Sequence, residues 1–350
     1  MSEVLIGRVR RTSAVRQAVV GASLAVLAAV VGWAEGGRKL LLPASDGTWS
    51  VPAEMVTGRR PTSGGTVEIR GVGVLSFDPG AVRTLRPDLF REGHFSVFDV
   101  VVHLAERGDI ALEYVWEADA ATHAIVSLNG RSGWWYEARY AGGEFERPVA
   151  RMDHFPVKDG MRIRLYLEQP DRLAAIRQSF REEVARRTSN GGAVVVPEVA
   201  IRGPRWSLVA RDVRVDPTGT RGDVFQPGVV TALDVLLALG RVGVLSSLEL
   251  VWHDRLGGAD YVDSLMVHGL AGGGYEAPAT EGCMFVHQTG SRALEGFLVP
   301  HGHGSSHVHL GADLEAIVSP EYVRWTWLCL GAGRACCPVP RPVPVATAGP

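Results

Sequence analysis

Four imidazoles fall within nine residues, at His301, His303, His307 and His309, spaced by glycine, serine and valine. Neutral imidazole is a ligand for zinc, copper or nickel, and a glycine-rich loop can wrap an ion. His287 and Asp313 flank the segment and would complete a coordination sphere. A divalent metal is therefore one expected cofactor. The competing reading is a solvated or partner-contacting loop, because tight sites hold their ligands on rigid elements.

A second feature is aromatic. Trp134, Trp135, Tyr136 and Tyr140 share one short stretch, with Trp116 upstream. On a strand, alternation sends Trp134 and Tyr136 to one face and Trp135 to the other. One face packs on a helix, so an aromatic ring is expected to stay exposed opposite it. Such a ring suits a flat ligand, a sugar or a protein partner. The plainer alternative is sheet packing against a neighbouring unit.

Arg151-Met152-Asp153-His154 sets a carboxylate beside an imidazole. Adjacent residues on an extended strand face opposite ways, which argues against a catalytic dyad. Arg86/Asp88 and Arg221/Asp223 are read as loop salt bridges. The chain has no nucleophile elbow, phosphate loop, dinucleotide glycine motif or paired zinc-ligand helix signature.

These side chains belong to a chain of 350 residues with a net charge of −2. That length allows two or three domains with cores of their own. The balance of charge gives no electrostatic reason to expect nucleic acid. Arginine far outnumbers lysine, which occurs only at Lys39 and Lys158.

Arg8, Arg10, Arg11 and Arg16 precede an uncharged stretch from Gln17 to Ala34, apolar from Ala18 to Trp33. A basic flank before an apolar run is the pattern of a signal peptide or membrane anchor, with the basic end inside and the body outside. Gly32 and Ala34 supply small residues for a cleavage site; the competing reading is a buried core helix. Arg38 to Thr62, rich in Gly, Pro and Ser, reads as a linker. Pro338 to Pro350 alternates proline with valine and alanine and reads as a polyproline II tail. Cys283 and Cys329 lie in apolar segments and are read either as a disulfide or as small buried residues; Cys336 and Cys337 are vicinal.

Between linker and tail lies a duplication. Arg86-Pro-Asp88-Leu-Phe90 aligns with Arg221-Gly-Asp223-Val-Phe225, and Asp99 with Asp234, both at an offset of 135. Glu113-Tyr-Val-Trp116 aligns with Glu249-Leu-Val-Trp252, and Val67-Glu-Ile-Arg70-Gly71 with Val199-Ala-Ile-Arg202-Gly203. Nearly constant offsets through separate blocks mark an internal repeat.

Each copy reads as a first strand (67–77; 199–213), then a helix capped by Ser96 or Thr231 with Asp99 or Asp234 three residues on. Gly108 or Gly240 is expected to end the helix. Further strands follow at 110–116, 123–128, 134–140 and 161–167, and at 248–252, 261–267, 283–287 and 322–330. Leu173, Ile176, Phe180 and Val184 form an apolar stripe on a connecting helix between the copies. One helix across a mixed sheet is an α+β unit of β-grasp-like form.

Several blocks of the first copy carry a family likeness: Ser96-Val-Phe-Asp99-Val, His123-Ala-Ile-Val-Ser-Leu-Asn129-Gly130, Gly133-Trp134-Trp135-Tyr136 and Val157-Lys158-Asp159-Gly160-Met-Arg-Ile-Arg164. The segment from Ser96 to Tyr166 thereby resembles the transcobalamin carboxy-terminal-like domain family, a β-grasp relative of ligand-binding modules. The resemblance implies that the Asn-Gly turn, the aromatic tripeptide and the Asp-Gly turn outline the sheet. One branch of that family binds cobalamin. The second copy departs from the pattern, with His268-Gly269, Gly282-Cys-Met-Phe-Val and Ser319-Pro-Glu321 in the matching places, so the two copies are expected to differ in role.

The expected organisation is a signal peptide or anchor (1–37), a linker (38–62), a first β-grasp-like domain (63–170), a connecting helix (171–192), a second divergent domain (193–333) and a Pro-rich tail (334–350). The expected function is non-catalytic: an exported or membrane-anchored binding protein. Its ligand or partner would meet Trp134, Trp135, Tyr136 and Tyr140, and its membrane contact would be the amino-terminal segment. The alternatives are a metal-binding protein or metalloenzyme using residues 301–309, and a structural subunit of a membrane complex.

Overall fold

The computed structural model describes residues 32–34, 37–43, 49–143, 148–256, 258–280, 282–297 and 310–329. Among the described residues the fold is mixed α and β, mostly sheet, with three α-helices. Residues 1–31, 301–309 and 330–350 lie outside the described residues, and with them the expected signal or anchor segment, the histidine-rich loop and the tail. No helix among the described residues is long and apolar enough to cross a membrane.

Two short strands, β1 (Gly32–Ala34) and β2 (Gly37–Pro43), stand ahead of both halves of the repeat. The first half opens with β3 (Thr66–Ile69) and β4 (Gly73–Ser76), followed by α1 (Val97–Glu106). It continues with β5 (Leu112–Glu117), β6 (Thr122–Leu128), β7 (Trp134–Arg139) and β8 (Arg162–Leu167). Helix α2 (Pro170–Ser189) leads to the second half: β9 (Val194–Arg202), β10 (Ser207–Val215), α3 (Ala232–Arg241) and β11 (Leu245–His253). Then come β12 (Ser264–Gly272), β13 (Tyr275–Ala277), β14 (Cys283–Gly290) and β15 (Tyr322–Cys329).

The two halves share one strand order. In the first, β3 and β8 run parallel at the centre, with β4 beside β3 and β7 beside β8. In the second, β9 and β15 run parallel, with β10 beside β9 and β14 beside β15. Beyond β14 the second sheet continues through β12 and β11 to β2. In the first half the matching hairpin, β5–β6, stands apart as a two-stranded sheet.

Three local expectations change. Each expected first strand is a hairpin: Gly71 and Gly73 turn the chain with positive φ in one copy, and Gly203 donates to the Trp206 carbonyl in the other. Helix α3 runs past Gly240 and ends before Gly243, which takes the left-handed conformation. Gly240 serves packing instead, since a Cβ there would lie 2.1 Å from the Trp49 ring. The stretch expected as a linker is structured in part, because β2 pairs antiparallel with β11 and sinks Leu40 and Leu42 into the second core beside Trp49 and Met55. Burying such a leucine is worth roughly 1.5–3 kcal/mol, enough to hold a short edge strand in place. Gly32 and Ala34, expected near a cleavage site, lie in β1, paired with β2.

The helix caps form as expected. Ser96 and Asp99 make a reciprocal box, and Asp99 also accepts from the Leu85 amide at 2.8 Å. Asp234 accepts from the Thr231 amide at 2.7 Å. Cys283 and Cys329 face each other across β14 and β15 and are disulfide-bonded.

The halves meet through their equivalent loops. Phe90 bridges Phe225, with ring centroids 5.6 Å apart. The Arg91 amide donates to Val224 and the Gln226 amide to Leu89, each at 2.9 Å. Even the side chains reciprocate: Arg91 donates to the Phe225 carbonyl and Gln226 to the Phe90 carbonyl. Residue i meeting j while j's counterpart meets i's is the signature of a two-fold axis, here inside one chain.

Candidate binding face and the buried polar nodes

The four aromatics expected to meet a ligand are all buried: Trp134, Trp135, Tyr136 and Tyr140 are each 7% exposed or less. Both faces of β7 are covered, which removes the exposed ring that alternation led us to expect. Trp135 packs against Phe180 of α2, and Tyr136 meets Phe155 edge-on at 5.8 Å. The polar tips are satisfied internally, with Trp134 donating to the Arg131 carbonyl, Trp135 to Pro148 and Tyr136 to Ala150. Sheet packing accounts for this strand.

Asp153 and His154 lie in a turn, not on an extended strand, and both face Arg86. Arg86 holds Asp88 at 2.8 Å and Asp153 at 3.1 Å, and stacks over Trp116 at 5.2 Å. Asp153 also accepts from the Thr122 hydroxyl and the His123 amide. The second half repeats the arrangement. Arg221 holds Asp223 at 2.9 Å and Asp313 at 2.8 Å and stacks over Trp252 at 5.3 Å. Asp313 in turn accepts from the Ser264 hydroxyl and the Leu265 amide. Each cluster buries its arginine and one aspartate, Asp153 or Asp313, and leaves Asp88 or Asp223 nearer the surface; it ties the loop to its hairpin, well beyond the loop bridges expected from sequence. Burial opposes the Asp153 charge, but the bond from His123 and the nearby His154 and Arg86 hold its pKa below the usual range.

His287 and Asp313 do not converge on a common site. Asp313 belongs to the Arg221 cluster, while His287 bonds Glu315 at 2.5 Å. Thr289 donates to the other oxygen of Glu315. Register pairs His287 with Trp325 as it pairs Tyr136 with Leu165, so His287 and Glu315 stand where the first half has Tyr136 and Phe155. An ionisable pair thus replaces an aromatic contact. Among the described residues, no three His, Cys, Asp or Glu side chains group to hold a metal ion.

The exposed apolar surface lies elsewhere. Tyr114, Val115 and Trp116 of β5 are 42–45% exposed, and Val126 of β6 is 47% exposed. Tyr114 and Trp116 lean on His123, which stacks on Phe98 of α1. Among the described residues β5 pairs with β6 alone, leaving its outer edge open. Behind the hairpin, an open groove of about 990 Å³ runs between β6 and α2, lined by Ile125, Val126, Leu173, Arg177 and Arg181 among others. A smaller cleft of about 410 Å³ lies near Arg86, His154 and Arg187, but the Arg86 guanidinium is already held by two carboxylates.

The equivalent strand in the second half is closed. Leu248, Leu250, Val251 and Trp252 are all buried, and β2 covers the outer edge of β11. One signal for this difference was present in the repeat: Tyr114 stands where the other copy has Leu250. A ring with a polar tip in place of an aliphatic chain suits a position that meets water. No family model, curated protein or solved structure matches the chain.

Proposed function

We propose that this chain is a non-catalytic binding protein, exported or membrane-anchored through residues 1–37, with a body of two tandem β-grasp-like domains. Its binding face is the β5–β6 hairpin of the first domain, and its partner is a protein. The observation that carries this reading is the contrast between equivalent edges, since β11 is covered by the chain's own β2 while, among the described residues, no strand covers β5, and Tyr114, Val115 and Trp116 are exposed. Tyr114 and Trp116 share one face of β5 against His123, and exposed aromatic side chains with a polar tip suit an interaction site.

The repeated strand order supports the β-grasp-like assignment, and with it the family resemblance in residues 96–166. The Cys283–Cys329 disulfide fits an oxidising compartment, in keeping with the basic and apolar amino terminus. Native mass spectrometry of the chain from its host's exported fraction tests the proposal. The wild-type chain is expected to retain a protein partner that a Tyr114→Ser/Trp116→Ser variant loses. Equal retention by both would place the binding face elsewhere.

A further inference from the structure

We infer that the open edge of β5 is completed by an extended segment of a partner protein, added antiparallel and carrying two basic residues followed by alternating apolar ones. This rests on the reading of β5–β6 as the binding face and adds the mode of binding and the chemistry of the partner.

The chain contains its own template. On the equivalent strand, β2 adds antiparallel to β11 with Leu40 opposite Leu250, Leu42 opposite Leu248 and Lys39 opposite Val251. Leu40 and Leu42 point to the core side and are 0% and 5% exposed. Lys39 reaches Glu249 at 2.7 Å, and Arg38 lies over the Trp252 ring at 5.7 Å. Arg38-Lys39-Leu40-Leu41-Leu42 therefore reads as two cations, then apolar residues on the buried face.

Each receiving group has a counterpart on β5. Trp116 stands for Trp252, with an Arg stacked over each. Glu113 stands for Glu249 in the aligned block. Glu113 is exposed and, among the described residues, has no ion-pair partner, whereas Glu117 is already near Arg177 and Arg181. Tyr114 and Leu112 stand for Leu250 and Leu248, but Tyr114 is 42% exposed where Leu250 is 0%. Among the described residues the edge thus lacks a strand, a cation and two apolar side chains, the set that β2 supplies to β11. Strand addition satisfies the backbone through ladder bonds and reads alternate side chains.

Charge argues against a second copy as the occupant. Antiparallel self-pairing centred on Val115 sets Glu113 opposite Glu117 on both sides. Arg177 and Arg181 stand 4.0 and 3.5 Å from Glu117 and offset its charge only in part, and like charges directly opposite are destabilising. Carboxylates on an edge strand are a common guard against self-association.

The test uses the full chain and a synthetic peptide with the sequence of residues 37–43. Hydrogen exchange is followed at residues 112–117 and at 247–251. Saturable slowing at 112–117 is expected, with little change at 247–251, where β2 already sits. Glu113→Lys is expected to weaken binding on the order of tenfold or more, because it sets like charges together. Register gives a second readout: Val115→Cys should form a disulfide with a peptide bearing Cys in place of Lys39, in preference to Val126→Cys. Protection confined to 247–251, or no preference for Val115→Cys, would overturn strand addition. So would a Val115→Cys chain that dimerises through its new thiol in place of forming the peptide adduct. Should partner retention still depend on Tyr114 and Trp116, the binding face stands and only the mode fails; loss of both removes the underlying reading.

Discussion

His287, Thr289 and Glu315 show how one fold position has been rebuilt in polar form. Their counterparts Tyr136, Ala138 and Phe155 make an apolar contact, whereas here Glu315 binds both neighbours. Removing one member of a buried polar set leaves the others desolvated, while replacing the whole set with apolar groups can be nearly neutral. Glu315→Phe alone is therefore expected to cost about 2–4 kcal/mol in urea unfolding. The triple variant His287→Tyr/Thr289→Ala/Glu315→Phe should recover most of that loss; a triple variant as weak as the single would contradict the equivalence. Titration offers a second test. Burial pushes the pKa of His94 and His268 down to about 4 and that of His154 down to about 3. An imidazole with a lowered folded pKa contributes stability that is complete above its unfolded value of about 6.5 and is lost as pH falls towards the folded value. Stability should drop steeply from roughly pH 6.5 to 4, before most carboxylates titrate. His94→Leu should shallow that slope, and a flat profile would count against burial of neutral imidazoles.

Among the elements, the capped helices and most strands were readable because caps, turns and alternating apolar residues are local signals. Ser96 with Asp99, and Thr231 with Asp234, marked both helix starts. The edge strand β2 was not readable. Gly, Pro and Ser on either side of Lys39-Leu40-Leu41-Leu42 describe a loop composition, and only the distant β11 supplies the partner that makes it a strand. Gly240 misled for a similar reason: as a local signal it ends a helix, but its role depends on Trp49. Gly240→Ala raises helix propensity and yet is expected to destabilise by about 1–3 kcal/mol, because the new methyl meets the indole. A thermal unfolding curve checks the sign, and stabilisation would show that Trp49 does not fill that space. The aromatic strand misled in the opposite direction, since nothing local reveals that α2 covers its second face.

For the whole molecule, the repeat in sequence becomes a two-fold relation in space, with reciprocal bonds around Phe90 and Phe225. Duplication supplied two equivalent edges, and the halves then diverged in what covers them. One edge is closed by β2 and the other carries exposed rings. The repeat itself held one sign of that asymmetry, Tyr114 in place of Leu250, but its cause lies in β2, a segment outside both copies. The candidate site was accordingly only partly legible: Trp116 and Glu113-Tyr-Val were visible as a repeated block, but the expected weight fell on Trp134 to Tyr140. The most direct test is photocrosslinking in the native host, with a benzophenone amino acid at position 116 and, as controls, at the exposed Val209 and Val242 of the second half. A discrete protein adduct at 116, absent at 209 and 242, is the expected result. Adducts at the control positions with none at 116 would contradict the assignment of the β5–β6 hairpin as the binding face.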